Sequence, residues 1–168
     1  MFFSYCLSMS ENLKQEEVKD SLKTMNQSNV YLRVYDLSHG MAKVFSKSLL
    51  GMEVEGVWHT SIEVFENEYF FHGTLRLEKV GVSSFGQLVD RVDLGQTDCT
   101  KESFEEFFHS CSSAWNERTY DVFENNCNNF TNWLSNFLVN KNIPDYILLL
   151  PQKVKNCENF KKLFMNKY

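Results

Sequence analysis

The hydrophobic pattern of this chain changes period partway along. Val30-Tyr31-Leu32-Arg33-Val34-Tyr35-Asp36 alternates and is rich in β-branched and aromatic residues, which predicts a strand. Ala42 to Leu50 predicts a loop or short helix closed by Gly51. Trp58 to Phe65 predicts a second strand, Glu66-Asn67-Glu68 a turn, and Tyr69 to Gly73 the returning arm of a hairpin. Gln87 to Gly95, with Leu88, Val92 and Leu94 at even spacing, predicts a further strand.

Beyond that point the period is helical. Phe104, Phe107, Phe108, Cys111 and Trp115 fall on one helix face, with Thr100 placed to cap it and Glu102 and Glu105 near its positive end. A second helix is predicted from Cys127-Asn128, with a stripe of Phe130, Trp133, Leu134, Phe137 and Leu138 that stops before Pro144. Gln152 to Asn166 predicts a basic helix whose lysines form a solvated face. Strands first and helices after predict an α+β domain, a small antiparallel sheet packed against helices. Residues 1–28 are polar, with only Leu13, Val18, Leu22 and Met25 as a weak stripe, and read as an N-terminal extension to a domain at 29–168.

Composition narrows the function classes. With 15 Phe, 2 Pro and 43% hydrophobic residues, the chain can bury a core and is not a disordered linker. A net charge of −5 argues against nucleic acid as the main partner. No apolar run reaches the roughly 18–20 residues of a membrane helix, and the start lacks a basic signal-type region. Cytoplasm is the expected compartment, with entry to the nucleus open to a chain of this size. Five dispersed cysteines offer no CxxC pair and no zinc spacing, so free thiols are expected, and no metal or cofactor.

One of those thiols stands out. Cys127 is predicted at a helix N-terminus, where unpaired N–H groups and the helix dipole favour thiolate and pull the pKa below about 8.5. The same N–H groups suit an oxyanion. A small buried cysteine opening a core helix gives the same pattern. A nucleophilic cysteine needs a base, and His39, His59, His72 and His109 are the candidates, none singled out by spacing.

Several segments together carry a family resemblance. They are Val34 to Ser38 with Gly40, Leu50-Gly51, Glu55 to Ile62 with its Trp58-His59-Thr60-Ser61 motif, and Glu68 to Phe71. Tyr120 to Phe123, Asn126-Cys127-Asn128, Ile143 to Ile147 and Leu150-Pro151 complete the set. In this order they resemble the PPPDE family of thiol peptidases, and within it the desumoylating isopeptidases. The resemblance implies a circularly permuted, papain-like cysteine peptidase fold. It maps a catalytic His–Cys dyad onto His59 and Cys127, and implies hydrolysis of the bond between a ubiquitin-like modifier, SUMO or ubiquitin, and a target lysine. Trp58 and Asn126, beside the dyad, are the candidate substrate or oxyanion contacts, together with the Cys127 N–H. Relatives carry a Gly- and Pro-rich loop where this chain has His72 to Lys79, so the substrate is less fixed than the reaction.

The expected partners are SUMO- or ubiquitin-conjugated proteins. Homodimers occur in the resembled family, which makes a homodimer an expected assembly. Two alternatives remain at this point. One is a non-catalytic module that binds a modifier or a shuttle partner. The other is an S-acyl protein thioesterase using the same dyad, which a long apolar groove beside Cys127 would favour.

Overall fold

The computed structural model describes residues 27–165, and most of the predicted extension at 1–28, with Cys6, lies outside them. Five antiparallel strands form one sheet: β1 Ser28–Asp36, β2 Trp58–Val64, β3 Asn67–Phe71, β4 Leu75–Lys79 and β5 Leu88–Thr97, in the order β4-β3-β2-β1-β5. The main helices are α1 Met41–Leu50, α2 Lys101–Ser110 and α3 Cys127–Val139. Short helices follow, α4 Asp145–Leu148, α5 Leu150–Asn156 and α6 Glu158–Phe160, the last running into a π-turn at Lys161–Met165. The fold is α+β, as the pattern predicts.

Alternation along the strands gives the sheet two different faces. One is apolar: Val30, Leu32 and Val34 of β1, Ile62 and Val64 of β2, and Tyr69 and Phe71 of β3 pack against Phe104 and Phe108 of α2 and Phe130, Leu134 and Leu138 of α3. Full burial of each such side chain is worth about 1.5–3 kcal/mol. The other face is polar. Glu68 is fully buried there, and its carboxylate accepts from Tyr35 Oη and Ser61 Oγ, each at 2.8 Å, while Arg33 lies 3.2 Å away.

The turn after β2 is tighter than the sequence suggests. Phe65 and Glu66 both take left-handed φ, 51° and 63°, and Val64 pairs directly with Asn67. This is the I′-like hairpin geometry that matches strand twist. Asp36 closes the turn after β1. Its carboxylate accepts from Ser38 N–H, Ser38 Oγ, Gly40 N–H and Val57 N–H. Burial pushes its pKa up, but those hydrogen bonds outweigh it and hold the group below the usual carboxylate range.

One strand carries no prediction, and two helix expectations need correction. The stretch before Lys79 is a strand: Leu75 and Leu77 alternate with Arg76 and Glu78 along the sheet edge, after a turn at Gly73 with φ +72°. The Phe104 stripe stops being α-helical at Ser110, which leaves Cys111 half-buried with its thiol donating to Phe107 O at 2.9 Å. The basic C-terminal helix is broken at Cys157, whose extended backbone places Sγ 2.8 Å from Leu50 O.

Candidate active site

Cys127 opens α3, and the asparagines around it build that helix start. Asn126 is the N-cap. Its Oδ1 accepts from the N–H groups of Asn128 and Asn129, while Asn129 Oδ1 accepts from Asn126 N–H, a reciprocal capping box. Asn126 Nδ2 donates to Val122 O at 2.9 Å. The predicted oxyanion candidate Asn126 therefore spends its carbonyl, and one amide hydrogen, on the local fold.

Asn128 ties the helix to β2. Its Nδ2 donates to Trp58 O at 2.9 Å, and its Oδ1 accepts from Thr60 Oγ1 at 2.9 Å. Thr131 Oγ1 adds a bond to Thr60 O at 3.1 Å. These bonds grip both neighbours of His59. The Cys127 thiol donates to Asn128 Oδ1 at 3.7 Å. Backbone N–H groups of Thr60, Asn128 and Cys127 itself point at the sulfur.

Burial reverses one expectation. Cys127 is only 9% exposed, and desolvation pushes its thiol up to about 11 against the pull of those N–H groups. The helix terminus alone predicts a lowered value. In this state Cys127 is a thiol.

His59 is the one buried histidine among the described residues; His39, His72 and His109 are exposed. Its ring leaves β2 on the face shared with Tyr35, its cross-strand partner. Phe85 covers it with ring centroids 3.7 Å apart, and Phe70 meets it edge-on at 5.7 Å. Nε2 is buried with no hydrogen-bond partner. Desolvation, then the neighbouring His72, lowers the imidazole pKa to about 3. No hydrogen bond joins His59 to Cys127. Both residues neighbour β2, the neutral imidazole on its polar face with Tyr35 and the neutral thiol at the start of α3, the helix that packs on the apolar face.

The thiol opens onto an apolar groove of about 710 Å³. Its walls include Phe45 and Leu49 of α1, Trp58, Val122, Leu163 and Phe164. Trp58 is half-buried, packs against the core and stands edge-on to Tyr146 at 5.9 Å, so it is both a core residue and a groove wall. The sequence reading undervalued three residues. Asn128 holds the site together. Tyr120 lines the groove, and its phenol pKa is raised by burial and then by Cys127. Phe85 covers His59. The repeated asparagines at 125–129 were a signal for the first; an isolated Phe in a Ser/Gly stretch gives none.

With this geometry in view, comparison with known proteins is specific. The family model for the "PPPDE putative peptidase domain" matches residues 28–167. Desumoylating isopeptidase 1 of Homo sapiens is 41% identical over 135 residues, covering 77% of this chain and 80% of the relative. The protein of that name from Rattus norvegicus is 40% identical over 141 residues, covering 77% and 80%. The one from Xenopus laevis is 41% identical over 128 residues, covering 74% and 75%. A family match across almost the whole described domain, with relatives at this identity, means that the chain belongs to the PPPDE peptidase family, a family of peptidase and isopeptidase hydrolases.

Proposed function

We propose that this protein is a cysteine isopeptidase that removes SUMO from target lysines, with Cys127 as nucleophile and His59 as its acid–base partner. The observation that carries the reading is a groove-facing cysteine at the first position of α3, fastened to both neighbours of the one buried histidine. The names of the relatives supply SUMO as the modifier.

The reaction follows from these groups. His59 takes the Cys127 proton as the sulfur attacks the isopeptide carbonyl, forming a C–S bond and an oxyanion that the Cys127 N–H can bind. The tetrahedral species collapses, the C–N bond breaks, and His59 gives the proton to the departing lysine amine. Water, deprotonated by His59, then cleaves the thioester and restores the thiol. Catalytic hydrogen bonds absent before substrate binds can form in the Michaelis complex, so the separate neutral pair is compatible with this cycle.

The test is cleavage of SUMO-conjugated and ubiquitin-conjugated substrates, with circular dichroism on each variant. Cys127→Ser and His59→Ala should fold and lose turnover. Full turnover in either ends the dyad assignment. SUMO and ubiquitin probes bearing a C-terminal electrophile then separate the modifiers by which one labels Cys127.

The groove favours a second reading, S-acyl thioesterase activity. A thioester is easier to attack than an amide, and the walls beside the sulfur are almost wholly apolar. Each buried CH2 is worth about 0.8 kcal/mol, so kcat/KM on acyl thioesters should climb roughly fourfold per methylene until the groove is full. A flat chain-length profile removes this reading.

A further inference from the structure

We propose that Phe85, on the strap of residues 80–87 between β4 and β5, is a positioning residue for His59: it closes over the imidazole and withholds the hydrogen-bond partner that an imidazolium requires. The inference rests on His59 being the acid–base residue of the dyad. It assigns the strap as a latch on that residue.

The geometry is specific. The Phe85 and His59 rings lie with centroids 3.7 Å apart and planes tilted by 30°. Phe85 also meets Phe70 at 5.0 Å, His72 at 5.8 Å and Tyr35 at 5.9 Å, so it completes an aromatic box around the imidazole. Nε2 lies inside that box without a partner. A neutral ring tolerates this with an unprotonated Nε2, which merely lacks a donor. An imidazolium carries N–H on both nitrogens, and a buried N–H without an acceptor is costly.

The strap is tied down at three points before Phe85. Val80 N–H donates to Glu66 O at 3.4 Å. Gly81 N–H donates to Glu68 Oε1 at 2.9 Å, and Ser83 Oγ donates to Tyr35 Oη at 3.1 Å. Just after Phe85 the chain turns at Gly86, with φ +94°, where an added Cβ would lie 2.9 Å from His39 Cε1. Val82, Ser84, Gly86 and Gln87 are exposed, so Phe85 and Ser83 are the strap's inward-facing anchors. A segment held by one ring and three hydrogen bonds belongs to the low-stability end of local opening.

The titratable groups around the ring are Tyr35 on β1, His72 at the end of β3, and Arg33 and Glu68 beyond Tyr35. His39 abuts Gly86, Glu63 lies further along β2, and Cys127 is on α3. The strap carries no charge of its own. Lifting it would replace Phe85 with water or substrate carbonyl as acceptor for Nε2–H, which lets His59 hold a proton opposite a Cys127 thiolate.

The test uses the full chain with 13C-labelled histidine, following His59 by NMR and Cys127 by its iodoacetamide alkylation rate. In the wild type, His59 should stay neutral at pH about 5. In Phe85→Ala it should titrate near about 6.5, with Cys127 alkylation at neutral pH rising about tenfold. Ser83→Ala keeps the ring but frees the strap, and should move both readouts the same way by less. It decides the matter if Phe85→Ala fails to fold. The alkylation gain should vanish in the Phe85→Ala/His59→Ala double variant. A wild-type His59 titrating near about 6.5 overturns the proposal. So do folded variants in which neither readout moves. If His59→Ala abolishes turnover while Phe85→Ala moves nothing, only the strap is wrong; if His59→Ala keeps full turnover, the dyad reading itself has failed.

Discussion

Asn128 Oδ1 accepts a hydrogen bond from Thr60 Oγ1 at 2.9 Å across 68 residues of sequence. Both side chains are buried, at 4% and 0% exposure. With the Asn128 Nδ2 bond to Trp58 O, this contact locks the start of α3 onto β2 and so sets where the Cys127 sulfur sits.

Replacing Asn128 should therefore damage stability and chemistry together. Asn128→Ala strands the Trp58 carbonyl and the Thr60 hydroxyl, each at a cost of about 1–3 kcal/mol when buried without a partner. Urea denaturation should show a loss of about 2–4 kcal/mol. Thr60→Val, which removes the opposite hydroxyl in a shape-conserving way, should cost less. Turnover by Asn128→Ala should fall more than its folded fraction explains. A midpoint within error of wild type would show that the clamp is not what holds the helix.

Much of this arrangement could be read from the residues. The alternation of Val30 to Asp36 and of Trp58 to Phe65 fixes which side chains share a face, and the asparagines at 125–129 mark a helix start with Cys127 on it. Three things could not be read. Strand β4 buries none of its five side chains, three being exposed and two half-buried, and Arg76, Glu78 and Lys79 hide its alternation. The cover over His59 depends on Phe85 folding back across the sheet, a contact with no local signature. The direction of the Cys127 shift depends on burial: counting N–H groups at a helix end gives their pull but not the desolvation that exceeds it.

Gly56 supplies a test of the groove wall. A Cβ there would lie 2.5 Å from Trp58 Cη2 and 2.6 Å from Cζ3, against a ring that also meets Tyr146 edge-on. Gly56→Ala should push the indole out of place at a cost of about 1–3 kcal/mol. Tryptophan emission should shift to the red as Trp58 gains solvent, and any acyl-chain preference should weaken. Unchanged emission and stability would mean that the indole shifts freely and does not define the groove.

The buried imidazole should also be visible in acid. An unfolded chain protonates His59 near 6.5, whereas the native ring, its pKa lowered by burial and by His72, takes a proton only near about 3. Between those values the unfolded state binds more protons, so stability falls as pH falls through that window, by up to about 1.4 kcal/mol per pH unit. Glu63, held below the usual carboxylate range chiefly by Arg91, adds its own loss only at the acid end. Urea midpoints compared at pH about 7 and about 5 should drop steeply for wild type and much less for His59→Gln. Phe85→Ala should flatten the same limb while lowering stability at neutral pH, because a ring open to solvent titrates alike in both states. Equal slopes for wild type and His59→Gln would place the acid sensitivity elsewhere and show that His59 is already hydrated in the native protein.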